Sequence, residues 1–322
     1  MSARVLVWSE RPSLALELLG EARRVADAHD GEVSLCVASE AASNEVESYA
    51  AYGADVLYVP DKGKPDSDLW VDILTAVIAE CQPCLTLVGA TKTGMEVAAR
   101  VAERCEASYA AWAVEISLDD ATASPTAGCM LYAGSALVKY QFTRPLTVLS
   151  VAPGTFEPCH HEGRTARLDA VVLANENGRL TVVGERPKST GGARLEEAKA
   201  IVDVGRGVKN LEDLEMVRSL ASLLDGQVSC SRPVSSDRDW LPEWLGLSGA
   251  KVKPELCLTI GVSGAIQHVV GIRDSRVIAA VNNDENAAIF TQADLGVVAD
   301  LNEFVPVLIE RLRARRVRPA WK

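Results

Sequence analysis

Short, wholly apolar runs alternating with helix-periodic segments constrain this chain more than any other feature. Val5–Trp8, Val33–Val37, Val56–Val59 and Leu85–Val88 read as strands, with helices over Ser13–Asp27, the alanine-rich Ser39–Tyr52 and Ser67–Glu80 between them. Strands this apolar have no face to give to water. Both faces must be covered, and helices arriving in alternation cover both faces of a parallel sheet. The expected fold class is therefore α/β, in 322 residues that suffice for two domains, each with its own core.

After Val88 the turn Gly89-Ala90-Thr91-Lys92-Thr93-Gly94-Met95-Glu96 leads into an alanine-rich helix ending at Glu103. Thr93 with Glu96 three residues on predicts a capping box. The turn lacks the G-x-x-x-x-G-K-[ST] spacing of a phosphate-cradling loop, so capping is its expected role. Beyond Ser108 strand-like runs take over, at Ala113–Ser117, Met130–Leu131, Ala136–Phe142, Thr147–Val151, Leu168–Leu173 and Leu180–Val183. Arg186–Gly192 is polar, small and rich in breakers. It sets an expected linker over 188–198 between a first domain at 1–187 and a second at 199–322.

Composition excludes several classes of function. A net charge of −11 provides no basic field to release phosphate counterions, so no nucleic-acid partner is expected. No apolar run approaches the roughly 20 residues of a membrane span, so no membrane insertion is expected. The opening MSARVLVWSE enters a strand at once, without a signal or transit pattern, and the prokaryotic cytoplasm is the expected compartment. Eight cysteines scattered through apolar segments read as reduced core thiols. Neither Cys81-Gln82-Pro83-Cys84 nor Cys159-His160-His161 has the companions of a metal site, and none is expected.

The second domain opens with Ala200–Val204, a strand running into the turn Gly205-Arg206-Gly207. Asn210 then caps a helix to about Leu224, with Leu211, Leu214, Val217 and Leu220 on one face. The turn is not G-x-G-x-x-G, because Asn210 replaces the third glycine, and no acidic residue is placed for an NAD ribose. A standard dinucleotide site is not predicted. Further on, Leu256–Ile260 and Val277–Val281 read as strands around Gly261-Val262-Ser263-Gly264 and a short helix opening at Ala265-Ile266-Gln267-His268. The start of that helix is expected to offer free N–H groups to an anion or to the electron-rich edge of a cofactor. A plain βαβ unit with packing glycines reads equally well from these residues alone.

Taken in order, Gly261-Val262-Ser263-Gly264-Ala265-Ile266-Gln267-His268, then Gly271, then an apolar strand ending at Asn282 resembles the flavin-binding signature of the electron transfer flavoprotein alpha subunit. Cys257 stands where that family usually has tyrosine. The likeness is pattern-like over the first 190 residues and dense from about 200 to 304. It implies an N-terminal parallel-sheet, nucleotide-hydrolase-like domain that serves structure and subunit contact, and a C-terminal flavodoxin-like, Rossmann-like domain that binds FAD.

By that resemblance, Arg206 faces the adenosine-diphosphate half of FAD. The Arg232 of Ser231-Arg232 lies over the isoalloxazine, where a permanent positive charge favours the reduced, anionic ring. Leu245-Gly246-Leu247-Ser248 matches a family segment V-G-Q-[TS]-G, with Ser248 where a hydroxyl hydrogen-bonds flavin N5. Leu247 and Ala250 replace a frequent glutamine and lysine. Ser263 contacts the diphosphate and His268 the pyrimidine oxygen, with Gly264, Ala265, Ile266 and Gln267 completing the cofactor-binding stretch. Asn282, Asp300 and Leu301 fall at the adenosine end.

The resemblance also implies a beta subunit carrying AMP or a second FAD, an acyl-CoA or related dehydrogenase as donor, and a quinone oxidoreductase as acceptor. Such a chain is an electron carrier and makes or breaks no substrate bond. With a second FAD on the partner it would belong to an electron-bifurcating, NADH-oxidising complex. Two readings of other classes stand beside it: an enzyme acting on adenine nucleotides, and a regulatory homologue without flavin.

Overall fold

The structure, a computed structural model, describes residues 3–37, 46–60, 65–119, 122, 124–132, 135–171, 183 and 195–316. The predicted strand at Leu180–Val183 (apart from Val183), the expected linker stretch Arg186–Gly192 and the start of the predicted helix Ser39–Tyr52 lie outside the described residues. The chain divides into two compact units, Met1–Glu185 and Arg186–Lys322. Leu195, which composition assigned to the linker, is buried in the core of the second unit.

In the first unit, β1 (Arg4–Trp8), α1 (Pro12–Asp27), β2 (Glu32–Cys36), α2 (Val46–Ala51), β3 (Val56–Pro60), α3 (Ser67–Cys81), β4 (Leu85–Gly89) and α4 (Lys92–Arg104) follow in the predicted alternation. β5 (Ser108–Leu118), β6 (Pro125–Leu131), β7 (Ala136–Gln141), β8 (Thr147–Val151) and β9 (Arg167–Val171) complete a sheet ordered β7-β6-β5-β8-β4-β1-β2-β3-β9 among the described residues. Pairing is parallel except along β5–β6–β7, which is antiparallel. Side chains alternate between the two faces of β1. Val5 and Val7 join one core with Leu14, Leu18 and Leu19 of α1, while Leu6 and Trp8 join a second with Trp70, Ile73 and Leu74 of α3.

Helix α4 starts earlier than its capping pattern predicts. Thr91, not Thr93, is the N-cap, and its hydroxyl accepts from Gly94 N at 2.8 Å. Gly94 is packed against the backbone of Gly89, which brings the first turn of the helix directly onto the end of β4. A buried guanidinium ties together three parts of the unit. Arg23 Nη1 meets Asp55 Oδ2 at 2.7 Å, while Nη2 meets Asp27 Oδ1 at 2.8 Å and Gly31 O at 2.9 Å.

The second unit has one sheet of five parallel strands among the described residues, ordered β11-β10-β12-β13-β14. These are β10 (Ala200–Val204), β11 (Gln227–Cys230), β12 (Leu256–Ile260), β13 (Ile278–Asn282) and β14 (Leu295–Val298). Counted from the first strand of the unit the order is 2-1-3-4-5, the flavodoxin-like arrangement that the resemblance implies. Helices α5 (Leu211–Leu223) and α8 (Leu301–Arg316) pack on one face, over Val202, Val204 and Ile260. Short α6 (Arg232–Ser236) and α7 (Ile266–Val269) begin beyond the ends of β11 and β12.

Candidate functional site

A parallel sheet ordered 2-1-3-4-5 has its switch point between its first and third strands, here β10 and β12, and ligands of such sheets enter at the carboxyl ends of the strands there. At that point the turns following the two strands lie against each other. Gly205 N donates to Ile260 O at 2.9 Å and Gly207 N to Gly261 O at 3.0 Å. A Cβ on Gly207 would lie 2.7 Å from Gly261 Cα, so the two turns meet backbone to backbone. Gly261 (φ +63°) and Gly264 (φ +85°) adopt left-handed angles, which reverse the chain between β12 and α7. Asn282, at the end of β13, pins this turn by donating from Nδ2 to Val262 O at 2.8 Å.

Around this cradle the remaining predicted residues stand at the carboxyl ends of the same strands. Arg206 follows β10, Ser231 and Arg232 follow β11, and Ser263 to His268 follow β12. Asp300, at the start of α8, accepts from Asn302 N at 2.8 Å through its side chain, and Leu301 packs into the core. Arg206 and Arg232 are exposed, and no carboxylate pairs with either among the described residues. In a chain of net charge −11, two free guanidiniums at one mouth favour an anionic ligand.

The segment Leu245–Ala250 returns beside the cradle. Leu245 bridges Ser231, and Leu247 N donates to Gln267 O at 2.7 Å. Gly246 and Gly271 are in backbone contact, which seats this segment against the end of α7. Ser248 is exposed, and its Oγ accepts from Trp244 Nε1 at 3.4 Å, leaving its own hydrogen to donate elsewhere. Leu247 and Ile266 are 51% and 70% exposed, an apolar rim on the same side.

One sequence expectation changes here. Helix α7 is the short helix expected, four residues long, so what it can offer is individual turn amides and not a long helix dipole. His268 is turned inward. Its Nε2 lies 2.8 Å from Asp203 Oδ2 and its Nδ1 3.1 Å from Leu245 O, and the residue is 7% exposed. Both ring nitrogens are engaged, so this geometry does not offer the direct pyrimidine contact that the resemblance implies. Burial alone would pull its pKa down. The Asp203 charge and hydrogen bond, with the Leu245 carbonyl, more than reverse that and raise it above the ordinary 6.5.

Two residues of this region went unnoticed in the sequence. Asp203 is a carboxylate with no exposure at all, and Arg238 donates to the carbonyls of Val208 and, at 3.4 Å, Arg206 while its guanidinium lies 4.7 Å from the Trp240 ring. An aspartate inside the otherwise apolar strand AIVDV was the available signal for the first. Nothing in the spacing of Arg238 pointed to the second.

The eight cysteines are free thiols. Cys81 is pushed up to about 12 by burial, the opposite of an activated thiol. The described residues contain no group able to hold a metal ion and no helix long and apolar enough to cross a membrane.

This geometry defines a class: a two-unit α/β protein whose second unit is a flavodoxin-ordered sheet with a backbone-lined, arginine-flanked cradle at its switch point. The profile of the electron transfer flavoprotein FAD-binding domain matches residues 194–273, and that of the electron transfer flavoprotein domain matches residues 12–177. "Putative electron transfer flavoprotein subunit YdiR" of Escherichia coli (strain K12) is 32% identical over 316 residues, covering 96% of this chain and 97% of that one. "Protein FixB" of Escherichia coli (strain K12) and of Shigella dysenteriae serotype 1 (strain Sd197) are each 30% identical over 318 residues, covering 96% and 98%. The chain belongs to the electron transfer flavoprotein alpha-subunit family. Among solved structures, MurG of Acinetobacter baumannii aligns at 9% identity over 98% of this chain and 91% of that one, with a TM-score of 0.32, too low to support an argument.

Proposed function

We propose that this chain is the FAD-binding subunit of a heterodimeric electron carrier, which accepts electrons from an acyl-CoA or related dehydrogenase and delivers them to a quinone oxidoreductase. The observation that carries this reading is the backbone-to-backbone meeting of Gly205-Arg206-Gly207 with Gly261–Gly264 at the switch point, beside two exposed arginines without acidic partners among the described residues. The residues fit FAD. Arg206 and the amides of Val262 to Ala265 would suit its diphosphate, with Ser263 adding a hydroxyl, while Leu247 and Ile266 offer apolar surface to its ring. The flavin supplies reversible redox chemistry, and no substrate bond is made or broken by the protein.

In this mechanism the residues bind, orient and stabilise charge. Arg232 would hold a permanent positive charge near the ring, which favours taking up electrons there. Ser248, whose Oγ accepts from Trp244 Nε1, would supply a hydroxyl donor to flavin N5. Arg238 donates to the carbonyls of Arg206 and Val208 and so braces the turn that carries Arg206.

A beta subunit carrying AMP makes the pair a plain shuttle. One carrying a second FAD makes it an electron-bifurcating NADH oxidase, and NADH oxidation by the purified pair separates the two. The main test is to purify the chain with a co-expressed beta subunit and measure FAD per chain and midpoint potential. Wild type should retain FAD. Arg206→Gln should weaken FAD about tenfold, the loss of one charge-assisted contact, and Arg232→Gln should lower the midpoint. A colourless wild-type complex, or an unchanged potential in Arg232→Gln, would refute the assignment.

A further inference from the structure

Asp203, the penultimate residue of β10, has no exposure, and of its two carboxylate oxygens only Oδ2 has a partner, His268 Nε2 at 2.8 Å. Its register neighbours are Ser229 on β11 and Thr259 on β12, both buried. Ser229 Oγ is unpaired and Thr259 Oγ1 turns to Ala279 O at 3.5 Å, so neither satisfies the carboxylate. The other titratable groups facing it are the thiols of Cys230 and Cys257. Burial, with the Asp203 charge second, pushes Cys230 up to about 12 and Cys257 well above its ordinary value, so both stay neutral.

The protons follow from the partners. Leu245 O can only accept, so His268 Nδ1 carries a hydrogen. Nε2 then faces a carboxylate, and one further proton sits between them. Whichever atom holds it, the couple has no net charge, which is how a buried carboxylate avoids the cost of isolation. One imidazole thus joins three elements: β10 through Asp203, α7 through its own backbone, and the segment Leu245–Ala250 through Leu245 O. The last two carry Leu247, Ser248, Ile266 and Gln267 on their exposed side.

We propose that Asp203 is a positioning residue for this site, holding His268 turned inward as a proton-sharing couple that locks α7 and the Leu245–Ala250 segment onto β10. This rests on the flavin reading only in what the locked surface serves. The couple itself can be tested without flavin. It also assigns charge stabilisation to the arginines and not to His268, whose positive charge Asp203 cancels.

Asp203→Asn is the informative variant. Its amide can donate to an unprotonated Nε2 while Nδ1 still donates to Leu245 O, so both contacts survive and only the shared proton is lost. Nitrogen-15 NMR of the imidazoles in the full-length protein reads this directly, with His268→Asn assigning the signal among four histidines. In wild type, both His268 nitrogens should be protonated to higher pH than in a histidine peptide. In Asp203→Asn, His268 should be a neutral Nδ1–H tautomer over that interval, with bound FAD within about threefold of wild type. Asp203→Ala strands the imidazole donor and should weaken FAD by about tenfold or more.

A wild-type His268 that titrates like a histidine peptide would overturn the proposal, as would an Asp203→Asn protein whose imidazole is unchanged. If the NMR signature appears but no variant binds FAD, the couple stands and the flavin reading fails.

Discussion

Gly264→Ala measures how tightly the cradle is built, because Gly163 supplies a matched control. Both glycines have left-handed angles, +85° and +77°, so alanine costs each about 1–2 kcal/mol of backbone preference. Their surroundings differ. A Cβ at Gly163 meets nothing within 4 Å, whereas at Gly264 it would lie 2.1 Å from Ile289 N and 2.5 Å from Ile289 Cα, both backbone. Restoring even a tight 3.0 Å requires the turn to retreat by about 0.9 Å. That movement stretches the hydrogen bond from Ile289 N to Ser263 O, now 3.1 Å, beyond useful length. Overpacking of this kind costs about 1–3 kcal/mol and the lost hydrogen bond about 1 kcal/mol. Gly264→Ala should therefore exceed Gly163→Ala in destabilisation by about 2–4 kcal/mol. Hydrogen exchange of core amides, read separately in each unit, is the assay, since a two-unit chain need not unfold in one step. FAD content should fall in Gly264→Ala alone, because Ser263 moves with the turn. Equal destabilisation of the two variants, or full FAD content in both, would refute the reasoning.

Arg23→Met should destabilise the first unit by about 1–2 kcal/mol in urea, since it removes the donors to Asp55 Oδ2 and the Gly31 carbonyl while Asp55 keeps Arg164 and Val33 N, and should leave FAD per folded chain unchanged. The His268 shift sets a pH dependence with a definite sign. A pKa raised by folding gives a contribution that is complete below the ordinary 6.5 and is lost as pH rises through the folded value. The second unit should therefore lose stability as pH climbs from 6.5 into the alkaline range, and Asp203→Asn should abolish that slope in denaturant titrations.

The parallel layers were legible because apolar runs such as Leu85–Val88 admit no exposed face, and the structure extends that run by one residue to Gly89. The glycine turns were legible for a related reason: Gly261 and Gly264 do what only glycine does easily. The start of α4 was not, because Glu96 favours Thr93 in local pattern, whereas the packing of Gly94 on Gly89 and its amide bond to Thr91 set the cap two residues earlier. Nor was the direction of the His268 ring. A histidine two residues beyond an exposed isoleucine reads as facing the ligand, and the partner that turns it, Asp203, lies 65 residues away in sequence. Long-range pairing of buried polar groups leaves no local periodicity to read, so motif order located the site while its internal wiring needed the fold.

The position of β8 in the first sheet has a consequence for synthesis. β4 is made early, yet its outer neighbour is β8, and the hairpin partners β5 to β7 emerge before it. From Gly89 to Thr147 the nascent chain must grow by about 58 residues, or roughly 3–12 s at ordinary translation rates. Throughout that delay β4 offers an open apolar edge to whatever the ribosome exit brings near. Slowing elongation over this stretch, or depleting the chaperones that shield it, should lower soluble yield without altering the finished protein.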